Sequence, residues 1–156
     1  MNELAELLIE KGITISSVES FTVGNFATML GNIPGISKVY KGSLITYQSE
    51  TKERLLSIDH ALIEKYGVVS KEIATLMCVN GKSILDTDLC VSFTGNAGPD
   101  AMEGKPVGEV YIGIAYEDVV VYKLNLTGSR QEIASKAVEF AKKKIIEKIN
   151  ENLKKN

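Results

Sequence analysis

The sequence predicts an α/β fold: a three-layer α/β/α sandwich built on a mixed, mostly parallel sheet of five strands. Three observations carry this. From the N-terminus to Thr94, β-rich and helix-periodic segments alternate, which implies parallel strands joined by crossovers. Further on, Val110 to Tyr116 and Val119 to Leu126 flank Glu117-Asp118 as a hairpin and add an antiparallel strand. The 156 residues, 44% of them apolar, suffice for one compact domain over 1–156 with a sizeable core.

The elements follow in order. Leu4, Leu7 and Leu8 share a helical face that Gly12 terminates. Ile13 to Val18 reads as the first strand. Phe26, Met29 and Leu30 mark a second helix, closed by Gly31, Asn32, Pro34 and Gly35. Val39 to Tyr47 is the second strand, and Lys52 to Tyr66 reads as two short helical pieces broken near Asp59. Ser70 is placed to cap a helix carrying Ile73, Leu76, Met77, Ile84 and Leu85. Leu89 to Thr94 is the third strand, and Gly95 to Glu109 is a long loop of the kind that usually serves function. From Ser129 onward, Ile133, Ala137, Ala141, Ile145 and Ile149 sustain a final helix, with Lys142-Lys143-Lys144 expected on a solvated face near its C-terminus.

Composition narrows the function. With 20 acidic and 18 basic side chains the net charge is −2, which argues against a nucleic-acid partner. No run is long and apolar enough for a membrane span, and Met1 to Leu8 lacks the basic residues of a signal peptide. The expectation is a soluble, cytoplasmic protein without a membrane partner, and homo-oligomerisation is left open. Cys78 and Cys90 read as small core residues, and His60 as a surface residue at a helix start. With a single histidine, multi-histidine metal sites are excluded, and neither a metal nor a cofactor is expected. A nucleophile, if there is one, is a serine, threonine or lysine.

Three segments lie at the carboxyl ends of predicted strands, where ligands of such sheets bind. Glu19-Ser20-Phe21-Thr22-Val23-Gly24 presents a serine at a strand-to-helix turn, beside N–H groups able to form an oxyanion hole. On these residues alone, the role favoured for Ser20 or Thr22 is simply to cap the helix. Tyr47-Gln48-Ser49-Glu50-Thr51-Lys52 brings a tyrosine and a lysine to one place if a helix begins near Ser49, and otherwise leaves them as ordinary surface groups. Thr94-Gly95-Asn96-Ala97-Gly98-Pro99 is small enough for backbone amides to cradle an anion, and matches neither a P-loop nor a dinucleotide fingerprint.

In combination these segments resemble the CinA C-terminal domain family, the stand-alone nicotinamide-nucleotide amidases. Val18-Glu19-Ser20-Phe21-Thr22-Val23-Gly24 is similar to the family's Ala-Glu-Ser-Cys-Thr-Gly-Gly, and Thr46 to Lys52 to its Thr-Tyr-Ser-Asn-Glu-x-Lys. Gly67-Val68-Val69-Ser70, Thr94 to Asp100, Lys105 to Val110 and Gly128-Ser129-Arg130 resemble its later stretches, in the same order. The resemblance implies a three-layer sandwich and hydrolysis of the nicotinamide mononucleotide carboxamide, giving nicotinate mononucleotide and ammonia without a metal. It implies Ser20 as nucleophile, with Tyr47 and Lys52 as the other catalytic groups. Substrate contacts are expected from Thr22, Gly24, Thr94, Gly95, Asn96, Ala97, Gly98 and Arg130. Longer relatives carry an additional nucleotide-hydrolase domain, for which this sequence is too short. Three positions depart from the pattern: Val23 replaces a glycine, Asn96 an isoleucine and Ala134 an arginine. A non-catalytic nucleotide-binding or regulatory module is the alternative reading.

Overall fold

A computed structural model describes residues 1–155. In chain order it has α1 (Asn2–Lys11), β1 (Ile15–Glu19), α2 (Asn25–Gly31), a 3-10 turn (Ile36–Lys38), β2 (Tyr40–Ile45), α3 (Ser49–Leu56) and α4 (His60–Tyr66). There follow α5 (Lys71–Leu85), β3 (Leu89–Gly95), β4 (Glu109–Tyr116), β5 (Asp118–Asn125) and α6 (Arg130–Lys155). The strands form one sheet in the order β2-β1-β3-β4-β5. β1 is parallel to β2 and β3, and β4 runs antiparallel to its neighbours β3 and β5. This is the mixed, mostly parallel sheet of the sequence reading.

The period of two along each strand divides the core into two layers. Ile15, Leu89, Val91, Phe93, Val110, Ile112 and Ile114 pack with the apolar stripes of α1, α2 and α6. On the other face Val18, Cys90 and Ala115 pack with Leu56 of α3, Ile63 of α4 and Ile73, Met77 and Cys78 of α5. This second face is built from small residues because α5 lies close on it. A Cβ on Gly113 would stand 2.6 Å from Ser92 Oγ and 2.8 Å from the Ala74 carbonyl, and one on Gly81 2.3 Å from a Val18 methyl. Cys78 and Cys90 are fully buried there, and burial pushes their thiols up to about 11 and about 12.

Local signals set the element ends. Gly12 closes α1 at φ 65°, and Asp59 and Ser70 cap α4 and α5 by accepting from Ala61 N–H and Ile73 N–H. The hairpin turn narrows to Glu117 at φ 57°, because β5 already begins at Asp118. Lys142 to Lys144 lie in the middle of α6, correcting the expected position near its end. The helix continues because its later residues keep burying Ile145 and Ile149, and because the lysines pair along the helix, Lys142 with Glu139 and Lys144 with Glu147.

The connection leaving β1 crosses by α2 on one face, and the one leaving β2 crosses by α3 to α5 on the other. Between them the carboxyl ends of β1 and β3 stand side by side, with Ser20 N–H donating to the Phe93 carbonyl at 3.0 Å. A switch of crossover side of this kind opens a crevice beyond the strand ends.

Candidate active site

Ser20 is the first residue past β1 and is 8% exposed. Neither it nor Thr22 caps α2. That task falls to Glu19, a fully buried carboxylate that accepts from Phe26 N–H at 3.0 Å and Ala27 N–H at 3.1 Å. It also accepts the Thr22 hydroxyl at 2.8 Å. The seven-residue separation between Glu19 and Phe26 spans a turn through Val23 at φ 46° and Gly24 at φ 84°, which swings α2 back over the strand end. A β-branched residue in the left-handed region costs about 1–2 kcal/mol, and Val23 carries that cost with its side chain 62% exposed.

Lys52 arrives from the next strand over. β2 pairs beside β1, α3 starts at Ser49, and the first turn of that helix drops Lys52 behind Ser20 with 1% of its surface exposed. Its Nζ donates to Ser20 Oγ at 3.1 Å, to the Thr46 carbonyl at 2.6 Å and to the Tyr47 carbonyl at 3.3 Å. Burial lowers its pKa to about 8, with the Glu103 carboxylate pulling in the opposite direction. Ser20 is thus in direct contact with a lysine that burial has made easier to deprotonate.

Ser20 opens onto a cavity of about 680 Å³, a size suited to a small organic ligand. Phe21, Tyr47, Gln48, Ser49, Glu50 and Val68 form one side. Thr94 to Met102 and Arg130 form the other. The structure therefore brings together Ser20, Tyr47, Thr94, Gly95, Asn96, Ala97, Gly98 and Arg130, with Lys52 directly behind Ser20. It does not bring Thr22 or Gly24 to the cavity wall: the Thr22 hydroxyl turns inward to Glu19, and Gly24 sits against Ile45. Of the departing positions, Asn96 lines the cavity, whereas Val23 points outward and Ala134 is buried in the α6 core.

Tyr47, expected as a catalytic group, puts its two ends to different uses. Its carbonyl faces Ser20 and Lys52, while its hydroxyl accepts from Arg130 Nη2 at 2.7 Å. The side chain leaves the strand end outward and is 51% exposed, so the hydroxyl lies on the cavity rim. Arg130 is set by a capping box at the start of α6: Ser129 N–H donates to Glu132 at 2.7 Å, and Glu132 N–H to Ser129 Oγ at 3.3 Å. That Ser-x-x-Glu signal was available in the sequence.

The Gly-rich loop is less open than its composition suggests. Gly95 is paired in the sheet with Val110, Asn96 N–H donates to Glu109, and Gly98 N–H donates to the Asn96 side chain. The Thr94 hydroxyl has its one proton committed as well, donating to the Val68 carbonyl at 2.6 Å. Glu103, absent from the sequence reading, closes the loop onto the neighbouring segment by accepting from Val68 N–H at 3.0 Å and Val69 N–H at 3.2 Å. The first turn of α3 has no side-chain cap, so its N–H groups remain open beside the cavity. Among the described residues no group of three or more His, Cys, Asp or Glu could hold a metal ion, and no helix is long and apolar enough to cross a membrane.

Comparison with known proteins agrees with this architecture. The model of the CinA C-terminal domain matches residues 1–149. The chain belongs to the CinA C-terminal domain family. A Bacillus thuringiensis protein, named only as competence-damage inducible, is 40% identical over 148 residues, covering 94% of this chain and 36% of that protein. A Listeria innocua protein of the same name is 47% identical over 108 residues, covering 69% of this chain and 26% of its own length. The chain thus spans about a third or less of these relatives. Among solved structures, a competence/damage inducible protein of Agrobacterium tumefaciens superposes with a TM-score of 0.86 at 28% identity, over 92% of each chain. One from Klebsiella pneumoniae reaches 0.93 at 24% identity, over 96% of this chain and 94% of its own, and shows the shared fold.

Proposed function

We propose that this protein hydrolyses the carboxamide of nicotinamide mononucleotide, releasing nicotinate mononucleotide and ammonia. The observation that carries the reading is the contact between Ser20 Oγ and a buried Lys52 whose pKa is lowered to about 8. In the neutral form Lys52 Nζ takes the Ser20 hydroxyl proton as the oxygen attacks the amide carbon. The developing oxyanion lies near Phe21 N–H, which donates to no other group among the described residues. Ser20 N–H is excluded from that task because it is bonded to Phe93. Lys52 then passes its proton to the departing nitrogen, and ammonia leaves with the bonding electron pair. Water cleaves the resulting ester, giving its proton to Lys52 and the oxygen to the carboxylate, and Ser20 regains its hydrogen.

Arg130 is the cation at the cavity and is assigned to the nucleotide phosphate, with the open first turn of α3 beside it. The reaction as written draws on no metal or cofactor. Within the cell this reading assigns the protein to pyridine-nucleotide salvage in the cytoplasm. Strain at Val23, in the turn that carries the nucleophile, favours one competing reading, a nucleotide-binding module without turnover. Incubation with nicotinamide mononucleotide, ammonia assay and calorimetry in parallel separate the two. Ammonia release that disappears in Ser20→Ala supports the amidase, and binding without release replaces it by the module.

A further inference from the structure

The Asn96 side chain is 5% exposed and has both of its ends engaged. Nδ2 donates to the Lys105 carbonyl at 3.3 Å, and Oδ1 accepts from Gly98 N–H at 3.0 Å. Its backbone is held as well, N–H donating to Glu109 at 2.9 Å and the carbonyl accepting from Gly108 N–H at 2.7 Å. A residue tied at four points moves only with the end of the sheet. Gly98, at φ 83°, is thereby fixed at its N–H side, and its carbonyl accepts from Arg130 Nη1 at 2.9 Å. The other arm of the same guanidinium donates to the Tyr47 hydroxyl. An exposed arginine ordinarily samples many rotamers. Here the anchored Gly98 carbonyl selects one of them, and the second arm carries the Tyr47 hydroxyl with it.

We propose that Asn96 is a positioning residue for nucleotide binding: through Gly98 it holds the Arg130 guanidinium and the Tyr47 hydroxyl in one arrangement over the cavity. Hydrocarbon of similar volume at this position would fill the same space and break the connection, because Gly98 N–H would lose its partner and the Lys105 carbonyl would keep only Met102 N–H. Asn96 bonds neither Ser20 nor Lys52, so its contribution falls on affinity and leaves the chemical step alone. The inference deepens the amidase reading and rests on it for the identity of the nucleotide, whereas the connection from Asn96 to Arg130 stands without it.

Two measurements test it on Asn96→Ala, with Asn96→Ser as the second variant should alanine not fold. The first is nitrogen-15 NMR of the arginine side chains in the ligand-free protein, with Arg130 assigned by Arg130→Lys. Restricted rotation of the Arg130 guanidinium in the wild type should be lost in the variant. The second is steady-state kinetics with nicotinamide mononucleotide: KM should rise about tenfold while kcat stays within about twofold. In an Arg130→Ala background, the same Asn96 substitution should change KM by less than about twofold, since its route is already cut. Unchanged Arg130 rotation in the variant overturns the proposal, and so do effects of the two substitutions that multiply. A fall in kcat at constant KM overturns it as well. Absence of ammonia release by the wild type would defeat the amidase reading while the NMR measurement still decides whether Asn96 holds Arg130.

Discussion

Replacing Lys52 gives the sharpest test of the site, because one ionisation governs both rate and stability. With a pKa of about 8, roughly one Lys52 in ten is neutral at pH 7, against roughly one in three thousand at the ordinary value of 10.5. The buried site thus supplies roughly 300 times more free base at neutral pH than a solvated lysine would. For the wild type, kcat/KM should rise nearly tenfold from pH 6 to pH 7 and level off above about 8. Lys52→Arg should be inactive throughout, since guanidinium keeps its proton in this range. The same ionisation enters folding. Folded Lys52 releases its proton near pH 8 and the unfolded chain near 10.5, so between those values the unfolded state binds more protons and stability rises with pH. At about 1.4 kcal/mol per pH unit, the window from about 8 to 10.5 is worth about 3 kcal/mol to the wild type. Urea unfolding of wild type and Lys52→Met, at pH 7.5 and again at 10.5, isolates that gain as a change in their difference. A flat rate profile, an active Lys52→Arg, or a stability difference independent of pH would each refute Lys52 as the base.

Three other perturbations test separate parts of the site. Ser20→Ala should unfold within about 1 kcal/mol of wild type yet lose at least about a thousandfold in ammonia release, because among the described residues no other hydroxyl bonds Lys52 Nζ. Near-normal turnover in the folded variant would eliminate the covalent route. Glu19→Gln exchanges a carboxylate bonded to two α2 amides and Thr22 for a neutral amide, at a cost of about 1–3 kcal/mol in chemical denaturation and with reduced kcat. Arg130→Ala should weaken nicotinamide mononucleotide by about tenfold or more, and the phosphate-free riboside by much less; equal losses in calorimetry would remove the phosphate from Arg130.

The central contact of the site was legible before the structure. Ser20 ends a β-rich run and Lys52 follows the next one, so pairing of those two strands was enough to bring serine and lysine together. What stayed illegible depends on directions across turns. Glu19 reaches forward to the amides of Phe26 and Ala27 only because the chain doubles back at Val23 and Gly24, a path that no helical or strand period encodes. Tyr47 likewise sits where expected, but its hydroxyl follows Arg130, a partner 83 residues away. The Gly95–Gly98 stretch looked open to anions because composition reports small side chains and not which amides are already bonded. Thr22 and Gly24 were assigned to substrate for their place in a motif, whereas their local work is to shape the turn.

The fully buried β1 ends at the nucleophile, while the opposite cavity wall runs from the last residues of β3 into an irregular loop along the surface. Halves built so differently are expected to open as different cooperative units. The Ser20 amide, bonded to the central strand, should exchange its hydrogen only when the whole domain opens, whereas the amides of exposed loop residues such as Asp100 and Ala101 exchange through local excursions. Mild heat or low urea would therefore loosen the grip on a ligand well before it disturbs the serine and its lysine. On a rising temperature ramp, affinity should fail first and reactivity last.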